Sequence, residues 1–338
     1  VDGIYSFKVA DELYLSLKKP ANSSKRCLYV TLATLQMDAK TKGNIFVRQV
    51  EVRQKLMSFL TETAKNGDEQ NCPFTGSDID NAVVRLENSG LVVIDSSFVS
   101  GAVYLRENYF DEKKVSTAIQ TLMSSPKQIA YQDSDIESFL AQYERTSGLK
   151  LDIEQKKAVR IALTSPISII SGGPGTGKTQ TINAVKSAIR ALAPEAKIRA
   201  CAPTGKAAIR VQELTGIPAG TIHRTIGLAP FKHTMKDGEL ECDYMFVDEF
   251  SMVDMHLCAK LLDAISTSGR IVLVGDYHQL PSVGPGLVLR DLIESDVIPK
   301  VVLNKVFRQS GSSHIVTNAH AIINQKDGLP LEINISEH

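Results

Sequence analysis

Eight consecutive residues, Gly172-Gly173-Pro174-Gly175-Thr176-Gly177-Lys178-Thr179, restrict what this chain can fold into more than any other stretch. They follow an apolar run at 167–170 and open a helical pattern, and they fit G-x-x-x-x-G-K-[ST] in the strand-to-helix setting that gives the pattern its meaning. Glycines let backbone N–H groups converge on phosphate oxygens where side chains would block the approach, and the following helix adds its positive N-terminal end. Lys178 is then placed to reach β- and γ-phosphates, and the Thr179 hydroxyl to ligate Mg²⁺. The bland alternative is a glycine-rich turn that binds nothing.

The loop also implies its surroundings. Apolar runs at 167–170, 198–202, 244–247, 271–274 and 301–303 alternate with helical patterns. Strands buried on both faces read as such runs, and alternation with helices implies a parallel sheet. The expected fold class is therefore α/β, a parallel sheet carrying a P-loop, preceded by an α-helical and winged-helix region. The run at 244–247 ends in Asp248-Glu249. Asp248 would hold Mg²⁺ and Glu249 would polarise an attacking water as general base. An exposed acidic pair at a strand end is the competing reading. The run at 271–274 leads into Gly275-Asp276-Tyr277-His278-Gln279, where Gln279 can contact a γ-phosphate or the attacking water. On its own it can equally be a polar turn before Pro281.

Ahead of the sheet the texture differs. Val50, Leu56, Phe59, Leu60 and Thr63 predict a helix closed by Asn66-Gly67. Ser77 is expected to cap a second, with Ile79, Ala82, Val83 and Leu86 on one face. Two strands follow, at 91–94 and 103–105, and helices before a two-stranded wing predict a winged helix-turn-helix. Val115, Ile119 and Leu122 share a helical face. Ser134 with Glu137 forms a candidate capping box, as does Asp152 with Gln155. The helix after Ser77 exposes Asp78, Asp80, Asn81, Arg85 and Glu87, a net acidic face that would repel phosphate. A structural or protein-contacting module is preferred there over a DNA reader.

Composition supplies limits. Thirty-eight basic residues cancel thirty-eight acidic ones in 338, so a nucleic-acid partner would be held by local basic positions and not by net charge. Cys27, Cys72, Cys201, Cys242 and Cys258 are too scattered for a CxxC pair, which argues against zinc and for reduced thiols. Without an 18-residue apolar run or a signal peptide, the expectation is a cytoplasmic protein with no membrane partner.

Taken together, the segments resemble the motifs of superfamily-1 helicases, in particular the RecD-like branch of superfamily 1B. The stretch 172–179 is similar to motif I, and Ala202-Pro203-Thr204-Gly205-Lys206-Ala207-Ala208 to motif Ia. Val247-Asp248-Glu249-Phe250-Ser251-Met252-Val253 resembles motif II, with Phe250 where the family usually has Ala. Motif III is matched from Gly275 through Gln279-Leu280-Pro281 into Ser282-Val283-Gly284-Pro285-Gly286, an extension typical of the branch. Leu303-Asn304-Lys305-Val306-Phe307-Arg308-Gln309 resembles motif IV. The ordered match runs from about 150 to 325.

The resemblance implies roles that the residues alone do not. Gln155 would read adenine, although the Asp152 capping box offers it a purely structural role. Gln279 becomes functional, and Arg308 would contact the γ-phosphate. Thr204, Lys206, His223 and Arg224 become candidates for a single-stranded DNA track; Lys206 and Arg224 can equally be solvated charges and His223 a local structural residue. A hairpin turning at Asp237-Gly238 lies where RecD-like helicases insert a pin that splits duplexes, with an ordinary surface hairpin as the alternative. The implied layout is a winged-helix-like region at 1–110 and a helical linker at 111–150. A RecA-like motor domain would follow at 151–300, with its hairpin insertion at about 228–241, and a second such domain would start at 301–338.

The implied activity is ATP-dependent, Mg²⁺-dependent translocation on single-stranded DNA, 5′ to 3′, in recombination or repair. A nucleotide-gated scaffold is the rival from another class. A GTPase would show Asn-Lys-x-Asp, which is absent, and small-molecule kinases have no Gly-Asp-x-x-Gln strand end. A chain that starts at Val1 and stops at His338 without a terminal element is expected to be a fragment. The family's motifs V and VI, with a second arginine, would lie further on. By itself the chain is expected to bind nucleotide, with feeble ATPase and no unwinding.

Overall fold

The computed structural model describes residues 3–63, 72–97, 99–127, 129–228, 240, 242–280 and 282–305. They fall into two compact units. One gathers residues up to 118 with 253–263 and the described part of 281–288; the other gathers 119–252, 264–280 and the described residues from 289 onward.

The first unit runs α1 (Gly3–Ser16), α2 (Ser24–Lys42), β1 (Phe46–Arg48), α3 (Gln49–Thr63), α4 (Gly76–Asn88), β2 (Val92–Asp95), β3 (Ala102–Leu105) and α5 (Arg106–Ser124). Its sheet has the order β1-β3-β2 and is antiparallel throughout. β1 has only three residues, Phe46-Val47-Arg48, and is invisible to a pattern search because its pairing with β3 is what defines it. Ile79, Ala82, Val83 and Leu86 on α4 are buried with Val52, Leu56, Phe59 and Leu60 on α3 in one core. Val50, expected on that inner face, is 85% exposed at the first turn of α3, and Val52 takes the core position.

The cap of α4 also differs from expectation. Thr75, not Ser77, is the N-cap: its hydroxyl accepts from the Asp78 N–H, and the Asp78 carboxylate accepts from the Thr75 N–H at 2.8 Å. A Thr-x-x-Asp box satisfies two orphan amides at once, which Ser77 inside the first turn cannot do.

The second unit continues with α6 (Asp133–Ser147), α7 (Ile153–Thr164), β4 (Ile167–Gly172), α8 (Lys178–Leu192), β5 (Ile198–Ala202), α9 (Gly205–Thr215), β6 (Ala219–Thr221), α10 (Ile222–Thr225) and β7 (Tyr244–Val247). A 3-10 turn at Phe250–Met252, β8 (Arg270–Gly275), α12 (Val288–Glu294) and β9 (Lys300–Leu303) complete it; α11 (Met255–Ala264), which intervenes in the chain, belongs to the first unit up to residue 263. All six strands of the order β6-β5-β7-β8-β4-β9 are parallel. Five correspond to the apolar runs. β6, Ala219-Gly220-Thr221, carries no apolar signal and exists by pairing with β5.

Ile170, Val272, Val274, Tyr244, Phe246, Ile198, Ala200, Val301 and Leu303 share one core with α6, α7 and α8. Their strand neighbours Ile169, Ile271, Leu273, Met245 and Val247 are buried too. Both faces are covered, as parallel sheets require. Through Ile136, Phe139 and Leu140, α6 belongs to this core. The Ser134–Glu137 box is not formed: Gln132 is the N-cap without a side-chain bond, and Glu137 pairs with Arg160 instead. Among the described residues no helix is long and apolar enough to cross a membrane. Arg308 and nearly all of the 231–241 hairpin lie outside the described residues.

Candidate active site

β4 ends at Gly172 and α8 begins at Lys178, with the phosphate-type loop between them. Gly172 is demanded by packing. A Cβ there would lie 2.6 Å from Thr176 Oγ1 and 2.9 Å from the Leu303 carbonyl oxygen, so β9 approaches its backbone too closely for any side chain. Gly177, the N-cap of α8, has φ 84°, a left-handed conformation that other residues enter at a cost. The buried Thr176 hydroxyl donates to the Gly173 carbonyl at 2.8 Å and braces the loop. Lys178 folds back over it, its Nζ donating to the Gly172 carbonyl at 2.5 Å and the Gly173 carbonyl at 3.2 Å.

β8 lies between β4 and β7, so the chain leaving β8 emerges between the loop and the acidic pair. The Asp248 amide continues the ladder by donating to the Cys201 carbonyl at 2.9 Å. Glu249 then turns sharply, with φ 51°, and its carbonyl accepts from the Met252 amide at 3.0 Å. A non-glycine residue held in this region stores strain, and such strain concentrates where function fixes the geometry. Phe250 is 1% exposed and buries the start of the 3-10 turn. A Cβ on Gly275 would lie 3.1 Å from the Ser251 amide nitrogen and 3.3 Å from that of Phe250, so this glycine lets the β8 terminus abut the acidic turn. The buried Asp276 carboxylate accepts from the His278 amide at 3.1 Å, and its carbonyl accepts from the Gln279 amide at 3.1 Å, which fixes the turn that presents Gln279.

These elements enclose a cleft of about 520 Å³ lined by Gly173, Pro174, Gly175, Gly177, Lys178, Thr179, Asp248, Glu249 and Gln279 from the loop and the two strand ends. Burial pushes the Asp248 carboxyl above the ordinary carboxylate range, and Glu249 adds to the rise. The Glu249 backbone N–H, Lys178 and Arg210 work against it. Thr179 and Asp248 offer hard oxygen donors to one space, a set that suits Mg²⁺.

Gln155 is fully buried in α7, where its Oε1 accepts from the Asp152 amide at 3.2 Å and its own amide donates to Asp152 Oδ1 at 2.7 Å. The capping box is therefore real, yet the side-chain Nε2 is buried without a partner. A buried unpaired amide donor costs about 1–3 kcal/mol, so the cap does not account for the whole side chain. Thr204 is the N-cap of α9 and accepts from the Ala207 amide at 3.2 Å. Lys206 is exposed in the first turn of that helix, and His223 and Arg224 are exposed on α10. None of these four lines the cleft. They follow the ends of β5 and β6, neighbours paired in register at Ala202 and Thr221, and so cluster at one edge of the sheet.

Sequence reasoning passed over Arg210. It lines the cleft from α9 with Ala207, Val211 and Leu214. Its spacing of three residues from Ala207 and four from Leu214 was visible, but an exposed arginine in a helix carries no signal until the helix is placed beside the loop.

A parallel sheet in this order, with a phosphate-type loop on one strand, an acidic pair on the next but one and a polar turn between them, defines a RecA-like P-loop nucleotide-binding domain. The family profile for an AAA domain matches residues 155–285. The chain is 29% identical over 327 residues to the ATP-dependent RecD2 DNA helicase of Deinococcus radiodurans, covering 96% of this chain and 44% of that protein. It is 36% identical over 218 residues to the RecBCD enzyme subunit RecD of Mycolicibacterium smegmatis, covering 57% and 37%. Among solved structures, the Pif1 helicase of Candida albicans aligns at 22% identity and a TM-score of 0.40, covering 52% of this chain and 44% of that one. The chain is thus similar to RecD and RecD2 DNA helicases, and it spans less than half the length of the curated relatives it matches.

Proposed function

We propose that this chain carries the first motor domain of an ATP-dependent DNA helicase that translocates on single-stranded DNA, 5′ to 3′, in recombination or repair in the cytoplasm. The observation that carries the reading is the convergence of Lys178, Thr179, Asp248, Glu249 and Gln279 on one cleft at the carboxyl ends of parallel strands. In this reading the loop amides and Lys178 hold the β- and γ-phosphates of ATP. Thr179 and Asp248 would hold Mg²⁺, which neutralises phosphate charge when bound. Glu249 takes the proton of the attacking water, and Gln279, one strand over, contacts the γ-phosphate or that water and reports hydrolysis to the neighbouring domain. Gln155 reads adenine with the amide donor that its capping bond leaves free. Arg308 contacts the γ-phosphate from the start of a second RecA-like domain.

Thr204, Lys206, His223 and Arg224 form the DNA track, supported by their common position at one sheet edge. Phosphate contacts of that kind position a strand without reading its sequence. The exposed face of α4 carries Asp80, Asn81, Arg85 and Glu87, which favours a protein partner over DNA for the winged-helix region.

The test is a pair of variants. Lys178→Ala abolishes ATPase activity and weakens nucleotide binding; Glu249→Gln keeps binding and blocks hydrolysis. Normal turnover by Lys178→Ala would refute the site. In the full-length protein, ATPase activity stimulated by single-stranded DNA supports the motor and its absence supports a scaffold, while strand displacement on 5′- and 3′-tailed duplexes decides polarity.

A further inference from the structure

α9 lines the cleft with Ala207, Arg210, Val211, Leu214 and Thr215, a face at helical spacing that carries one charge, the Arg210 guanidinium. Among the described residues the Arg210 side chain makes no hydrogen bond and no ion pair, although two carboxylates line the same cleft. Its charge still reaches Asp248, where it acts with Lys178 against the cost of burial. Arg210 therefore presents its guanidinium to the cleft from the same wall as Val211 and Leu214. The ionisable lining is Lys178 and Arg210 against Asp248 and Glu249, so the cleft is close to neutral. A magnesium-bound nucleoside triphosphate brings about two net negative charges and a terminal phosphate with several unpaired acceptor oxygens, more than one ammonium satisfies. A guanidinium offers paired donors that match two phosphate oxygens at once.

We propose that Arg210 is a second phosphate-gripping cation of this cleft, supplied from α9 by the motor's own first domain, and that it takes a terminal phosphate alongside Lys178. This rests on reading the cleft as a nucleoside triphosphate site and adds a contact to it. The phosphate has two sources, the intact triphosphate and the orthophosphate left after hydrolysis.

Calorimetric titration of this chain with a non-hydrolysable ATP analogue plus magnesium, with ADP plus magnesium, and with orthophosphate in the presence of ADP separates them. Arg210→Gln is expected to weaken the triphosphate analogue about ten-fold or more while leaving ADP within about two-fold, with partial recovery in Arg210→Lys. A parallel loss of orthophosphate binding places the contact on the product as well; loss for the triphosphate alone places it on the substrate. If Lys178→Ala weakens both nucleotides while Arg210→Gln binds triphosphate and orthophosphate like the parent chain, the Arg210 assignment is overturned and the cleft stands. If Lys178→Ala leaves both nucleotides unaffected, the cleft reading fails and Arg210 with it.

Discussion

Replacing Glu249 with glycine and, separately, with alanine measures the strain stored at the acidic turn. Both changes delete the carboxylate and the same packing beyond Cβ, so they differ in what the backbone tolerates at φ 51°. An L-residue pays about 1–2 kcal/mol in the left-handed region, and glycine pays almost nothing. Glycine gains more freedom in the unfolded chain, a disadvantage of about 0.4–1 kcal/mol. The difference leaves Glu249→Gly more stable than Glu249→Ala by about 0.5–1 kcal/mol. For a unit of this size that corresponds to about 1–4 °C in thermal midpoint. Calorimetric melts of the two variants under matched conditions give the number directly, and both should lack ATPase activity. If alanine equals or exceeds glycine, the turn is not strained, and the tight geometry of the acidic pair has another origin.

Two further outcomes follow from the same cleft. Gly172→Ala places a methyl against Thr176 Oγ1 and the Leu303 carbonyl; overpacking of that kind costs about 1–3 kcal/mol, visible as a lowered urea midpoint together with weaker nucleotide binding, and unchanged stability would contradict the close approach of β9. Asp248 has a folded-state pKa raised chiefly by burial, so the native state holds the proton more tightly than the unfolded chain and stability falls as pH rises from the ordinary aspartate range through the raised value. Asp248→Asn therefore gains stability relative to the parent chain at neutral pH, with the advantage fading toward acid pH; an advantage that grows on acidification would reverse the sign and reject the desolvation argument.

The loop and its lysine were legible because their chemistry is local: four glycines, an ammonium and a hydroxyl at fixed offsets between a strand pattern and a helix pattern allow few alternatives. The five apolar runs were legible for a related reason, since strands buried on both faces cannot hide their hydrophobicity. Edge strands can. Phe46-Val47-Arg48 and Ala219-Gly220-Thr221 are too short for a periodic signal and become strands by pairing with β3 and β5. Caps lie between these cases. Asp152 and Gln155 read correctly, whereas Ser77 and Ser134 were plausible by residue type and lost to Thr75 and Gln132, where the chain enters each helix.

Strand order is the property that only the tertiary structure decides. Nothing in the linear spacing says that β8 threads between β4 and β7, and that placement is what brings Gln279 beside Lys178 and Glu249, while the packing of α9 on α8 brings Arg210 to the same cleft. Local sequence fixes which atoms can grip a phosphate. Long-range pairing, driven by burial of apolar strand faces that resemble one another, fixes which of those atoms share a space.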